Sequence, residues 1–393
     1  MTRTPAINRT PWALASVLSL IALPSGAQEH ALDAPQATHP EAFAVVNSVR
    51  EMPDGRVMVA DPLSRVFVVL SADLQRADTL GRLGGGPEEY RQPDAVWPLP
   101  GDSTLLVDLG NSRLTAVGPD GGFGPTRPIA QGEGGPMAPP AIAIPAGVDA
   151  AGHLYFQGMP GMSPSGPSDT VPILRLAPGG GPEPVARVKT RSFSRTTSGG
   201  ANEQNVSISP IPLSATDVWA VAPDGSVAIA RVGPLRVDWV GADGSVRRGQ
   251  AVEMTAVPIR QAETEEWAAD QESSGGGIAI QITEENGRRS MQMSRGGAGG
   301  GPNLDALTWP EAKAPWVSGS GRIDMAGRFW VRRSLPAGET ALYDVFDRSG
   351  SPIGAVRLPE ARWIVGFGDG VLYAVHVDAF DLKTLERYAL PAM

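Results

Sequence analysis

The chain has 393 residues with 33 Lys and Arg against 42 Asp and Glu, a net charge of −9, and this acidic balance argues against nucleic acid or an anionic membrane surface as a partner. It contains no cysteine, which excludes a disulfide framework, a thiolate metal site and a lipid-modified N-terminal cysteine. Its 48 Gly and 37 Pro are many for a globular chain, and frequent tight turns account for them without low-complexity disorder.

At the start, Arg3 and Arg9 precede an apolar run over residues 12–23 and the small-residue segment Pro24-Ser25-Gly26-Ala27. That order of charge, apolar core and cleavage site is the pattern of a secretory leader. Residues 1–27 are therefore read as a signal peptide cut after Ala27, with the product exported to the periplasm or the extracellular space. Its removal leaves 31 Lys and Arg against 42 Asp and Glu, a net charge of −11. No stretch of the remaining chain approaches the roughly 20 apolar residues of a spanning helix, so no membrane span is expected. Residues 28–40 are weakly patterned and read as a tail or as a strand that closes the fold.

Six copies of one pattern follow: PDGRVMVAD (53–61), PGDSTLLVD (100–108), AAGHLYFQ (150–157), PDGSVAIAR (223–231), MAGRFWVRR (325–333) and GDGVLYAVH (368–376). Each joins a turn containing Gly to a short run rich in β-formers, which is a hairpin pattern. Most continue into a third strand and a second turn, as in RLTAVGPDG and YDVFDRSG. The turn glycines Gly55, Gly101, Gly152, Gly225, Gly327 and Gly370 are 46, 51, 73, 102 and 43 residues apart. A blade thus needs about 43 residues, and a four-stranded repeat of that length indicates a propeller. The expected fold is all-β: a six-bladed β-propeller of four-stranded antiparallel blades over residues 41–393, with long insertions on one face.

The clearest unit is 81–123, which begins GRLGGGPEEYRQP. Its Gly81, Arg82, Gly84, Gly86, Pro87, Glu89 and Tyr90 resemble the Gly-Pro loop of exported bacterial six-bladed propellers related to the NHL repeat. PEAKAPW, GRFWVRR, YDVFDRSG and VRLPE are similar to that group's closing blades. This sequence keeps one intact Gly-Pro loop, and its Asp-x-x-Asn-x-Arg corner is complete only at Asp108, Asn111 and Arg113. The resemblance implies a fold and no particular activity.

In such a blade the long segments 126–146, 158–170, 189–215 and 252–319 all connect strands on one face, called the top here. Loops grafted on one rim of a rigid ring are where binding residues gather. Within the largest insertion, 259–271 has strong helix formers and is expected to make a short amphipathic helix, and 278–293 a hairpin turning at Glu285-Asn286-Gly287. Residues 252–319 together read as a lid-like segment.

Aligning the second strands places Asp61, Asp108, Gln157, Arg231, Arg333 and His376 at one equivalent position at the top of each blade. These are the candidate ligand-binding residues, with Arg231 and Arg333 suited to a carboxylate or phosphate. The two aspartates have a structural reading as well, bonding their own turns and pairing with Arg65 and Arg113. With four His in the chain and no converging ligand set, neither a metal nor another cofactor is expected. No G-x-S-x-G elbow precedes a helix, and no Ser-His-Asp set can be assigned. The leading functional reading is a monomeric, non-catalytic binder of a peptide, a glycan or a small anionic ligand. The alternative is a metal-dependent propeller hydrolase or lyase with its site in the central channel.

Overall fold

A computed structural model describes residues 28–131, 141–163, 166–198, 205–273, 277–285, 288–296 and 303–393. The proposed leader, residues 1–27, lies outside them. The fold is a six-bladed β-propeller, and each blade is a sheet with its strands in chain order from the centre outward, apart from the outermost strands of blades 5 and 6, which the N-terminal residues supply. Blade 1 is Val49–Glu51, Val57–Asp61, Val66–Leu70 and Ala77–Thr79, and blade 2 is Pro93–Pro98, Thr104–Asp108, Arg113–Val117 and Phe123–Pro128. Blades 3 to 5 are centred on Leu154–Gln157, Val227–Val232 and Phe329–Arg332.

The apolar runs in these strands are continuous because each blade buries both of its faces. In Val57–Asp61 the side chains alternate between two seams: Val57 and Val59 pack against blade 6, while Met58 and Ala60 pack against blade 2. Six such clusters occur, one at each junction between neighbouring blades. A core divided into six seams needs apolar residues at every position of a second strand, which is why period-two alternation is absent there.

The tight turns between first and second strands depend on glycine. Gly55, Gly101, Gly152, Gly225, Gly327 and Gly370 all have positive φ, between 66° and 83°, a region where a Cβ is strained.

Blade 6 comprises Arg362–Gly368, Val371–Val377 and Lys383–Ala389, and its outer strand is Ala37–Thr38 from the other end of the chain, antiparallel to Glu386 and Arg387. Just upstream, Gln28–Ala31 adds a fifth, parallel strand to the edge of blade 5, opposite Gly354 to Arg357. Residues 28–39 therefore clasp two blades and cover edges that would otherwise be open. His39 is buried in this clasp; its ring lies 2.7 Å from the Leu74 carbonyl of blade 1 and stacks on Phe43.

The insertion before blade 5 forms helix α1 (Gln261–Ser273) and a hairpin of Ile278–Glu285 with Arg288–Arg295; part of the expected turn, residues 286–287, lies outside the described residues. The expectation of amphipathicity fails: the apolar residues of α1 are not gathered on one side. Polar bonds hold it instead. Glu263 accepts from the Arg260 amide at 3.0 Å, closing the helix start, and from the Ala337 amide at 3.1 Å in the top loop of blade 5. Glu266 accepts from the Gly338 amide at 3.1 Å and from Lys313 at 2.7 Å. The hairpin is tied to the opposite side of the ring. Arg295 pairs with Asp94 of blade 2 at 2.5 Å, and its backbone exchanges two bonds with the Gln92 amide side chain. The insertion thus reaches from blade 5 to blade 2 across the top face.

Candidate functional site

The six rim residues do not form one site. Asp61 is fully buried and accepts four backbone N–H bonds, from Ala44 at 2.6 Å, Val45 at 3.3 Å, and Leu63 and Ser64 at 3.0 Å each. The acid thus fixes its own turn and the entry into the blade through backbone donors, and no contact with Arg65 is among its bonds. Asp108 holds the next blade in the same way, accepting from the amides of Arg91 and Gln92 at 3.1 and 3.0 Å and from the Asn111 side chain at 2.6 Å. Arg113 stands 3.5 Å from it and donates to the carbonyls of Gly86 and Glu89. The Asp-x-x-Asn-x-Arg corner therefore staples the Gly-Pro loop to blade 2.

Blades 4 to 6 carry Arg231, Arg333 and His376 at the same position, and each is met by an acid. Arg231 bonds Asp217 at 2.9 Å and Asp238 at 3.2 Å. Arg333 makes a two-pronged contact with buried Asp344, which also accepts from the Trp316 indole at 3.2 Å. His376 lies 3.8 Å from Glu386, whose carboxylate is forked by Arg362 at 2.6 and 3.0 Å. Burial pushes the Asp344 carboxyl above its ordinary value, with Arg333 acting in the opposite direction. Gln157 is exposed and donates to the Thr190 hydroxyl at 3.3 Å.

Two of the six, Gln157 and Arg333, line a cavity of about 600 Å³, a size suited to a small ligand. Its walls are the tops of blades 3, 4 and 5 with α1 across one side. Of the positive groups in the wall, Lys313 is held by Glu266 and Arg333 by Asp344. Lys189, Arg191 and Arg332 make no side-chain hydrogen bond or ion pair within the described structure, although the charge of Arg332 is felt by Asp270. On the negative side, Asp217 is held by Arg231, Glu263 and Glu266 bind the backbone of blade 5, and Glu339 lies 4.0 Å from Arg357. Desolvation raises the Asp270 carboxyl, and Arg332 and Lys313 pull it back down. The wall therefore has more uncommitted positive than negative charge. Thr216, also in the wall, is buried and its hydroxyl has no hydrogen-bond partner.

Sequence reasoning missed Arg332, Lys189, Arg191, Thr216 and Trp267. Arg332 was within reach: the sequence reads Val331-Arg332-Arg333, and alternation along a strand turns consecutive residues to opposite faces. With one arginine committed to a blade acid, its neighbour is available for something else.

Among the described residues no group of three or more His, Asp or Glu side chains converges as a metal ion would need. The carboxylates of Asp61 and Asp108 are spent on backbone and side-chain donors, so this donor set does not fit a metal centre.

The structure defines a six-bladed propeller with structural neighbours among gluconolactonases and virginiamycin B lyases. A protein of Bacteroides fragilis described as exported matches over 93% of this chain and 99% of its own at 9% identity, with a TM-score of 0.47. A gluconolactonase of Xanthomonas campestris matches over 91% and 95% at 12% identity, with a TM-score of 0.42. The virginiamycin B lyase of Staphylococcus aureus matches over 88% and 96% at 8% identity, with a TM-score of 0.40. At these identities the likeness speaks to fold alone. No protein-family model matches the chain, and no curated protein matches it either.

Proposed function

We propose that this chain is an exported, non-catalytic propeller that binds a small ligand bearing an anionic group in the cavity beneath helix α1. The observation that carries this reading is Arg332, a guanidinium in the wall of a ligand-sized cavity that makes no side-chain hydrogen bond or ion pair among the described residues and whose charge is felt by the Asp270 carboxyl of the same wall. A guanidinium fork is made for carboxylate or phosphate, and Lys189 and Arg191 add positive charge in the same wall. The leader-like pattern ending at Ala27 supports export. Arg231 and Arg333, the cations expected to meet the ligand, are committed to Asp217, Asp238 and Asp344, so Arg332 takes that role. For the reading of a metal-dependent hydrolase or lyase, no group of three or more His, Asp or Glu side chains converges among the described residues.

A thermal-shift screen of carboxylates, acidic peptides and acidic glycans finds the ligand, and titration of Arg332→Ala tests the assignment. A charge-assisted hydrogen bond contributes about 1.5–3 kcal/mol, so the variant is expected to bind at least about tenfold more weakly. Because Arg332 makes no side-chain hydrogen bond or ion pair among the described residues and acts on Asp270 through its charge alone, the ligand-free variant should melt within about 2 °C of the parent. Unchanged affinity in a folded variant would remove the cavity from consideration.

A further inference from the structure

The chemistry of the cavity wall narrows the ligand further. Three hydroxyl residues in it, Thr190, Ser214 and Thr216, are at least nine-tenths buried. Thr190 already accepts from Gln157 at 3.3 Å and Ser214 from the Ser192 amide at 3.0 Å, while the Thr216 hydroxyl is unpaired. A buried hydroxyl without a partner is costly, and the Thr216 oxygen is shielded by its neighbours in the ligand-free wall, so a ligand offering donors and acceptors of its own gains where a small shift of the wall lets it reach that oxygen. Trp267 of α1 stands in the same wall, braced edge-on by Trp309 with ring centroids 5.3 Å apart. An indole held this way presents a rigid apolar surface beside the polar groups.

Two other classes of ligand fit less well. An extended peptide is usually held by adding a strand to an open sheet edge, whereas this cavity is walled by strand ends, loops and a helix. Phosphate sites commonly use the free amides of a helix start, but here the Glu263 carboxylate already occupies the amide of Arg260 at the start of α1. What remains is a ligand with several hydroxyls, one carboxylate and an apolar C–H face.

From this we infer that the cavity binds an acidic sugar, a uronate as monosaccharide or short oligosaccharide, with its carboxylate on Arg332, its hydroxyls among the Thr and Ser residues and a ring face on Trp267. The inference rests on the reading of the cavity as the ligand site. It predicts that removing the carboxylate and removing the ring each lose affinity separately.

The test is calorimetric titration of the full mature chain with galacturonate and glucuronate, their linked dimers, the matching neutral sugars, galactose 1-phosphate and an acidic dipeptide. A uronate monomer or dimer is expected to bind at least about tenfold more tightly than its neutral counterpart and than the dipeptide. Trp267→Ala is expected to weaken the uronate about tenfold or more, and Thr216→Val about threefold. Arg332→Lys, which keeps the charge and loses the fork, should retain part of the affinity and guards against a folding defect in the alanine variant. Binding of the dipeptide or the sugar phosphate in preference to every uronate, lost in Arg332→Ala, would overturn the sugar inference and leave the cavity reading standing. Uronate binding that Arg332→Ala and Trp267→Ala leave unchanged would overturn both, and no binding of any uronate would overturn the inference.

Discussion

Replacing Asp61 with alanine is expected to destabilise the fold by about 4 kcal/mol, visible as a lower denaturant midpoint at unchanged slope. The carboxylate is fully buried and receives four backbone N–H groups, from Ala44 and Val45 on entry to blade 1 and from Leu63 and Ser64 in its own turn. Alanine leaves all four without that acceptor, and each orphaned buried donor costs about 1–3 kcal/mol, less than additively. Asp61→Asn should lose about half as much, because one oxygen remains and the amide nitrogen faces donors. A loss below about 1 kcal/mol for the alanine variant would show that the clamp is not what holds this corner.

Arg333→Met is expected to cost about 3 kcal/mol near neutral pH, because it leaves Asp344 buried with Trp316 as its remaining side-chain partner. The pH dependence follows from the direction of the Asp344 shift. Burial raises its carboxyl above the unfolded value, so the folded state is the better proton binder. The stability this group contributes is complete at low pH and falls as pH rises through the folded value. Without Arg333 the carboxyl moves higher still, and the deficit of the variant relative to the parent should shrink as the pH is lowered from neutrality. Adding Asp344→Leu to Arg333→Met should recover most of the loss, since two apolar groups replace the broken pair. A deficit that stays constant with pH would contradict the assignment of its cost to the Asp344 charge.

The two variants also mark what was legible in the sequence. The blades could be read because turn glycines with positive φ recur at the same place in each repeat, and because strands buried on both faces spell continuous apolar runs such as VMVA and TLLV. The outer strand of blade 6 is only Ala37 and Thr38, too short to carry a pattern, and the parallel strand Gln28–Ala31 has no turn or alternation to announce it. Alignment identified the rim as polar but left its role undecided. The partners that commit Arg231 and Arg333 are separated from them along the chain: Asp217 lies 14 residues away and Asp344 lies 11 residues away. The cavity was out of reach for a similar reason. Its wall combines Lys189, Thr216 and Arg332 from different parts of the ring with Trp267 from an insertion, and such a meeting is created only by closing the ring and laying α1 over it.

The central claim, that the ligand sits under α1, is tested most directly by fluorine NMR of protein labelled with 5-fluorotryptophan, with the Trp267 resonance assigned through Trp267→Phe. On titration with a binding uronate, or with any anionic ligand from the screen, the Trp267 resonance is expected to move in step with occupancy. Those of Trp97 in blade 2 and Trp363 in blade 6, outside the cavity wall, should stay in place. Movement at Trp97 or Trp363 with Trp267 unchanged would put the ligand elsewhere on the ring and contradict the account.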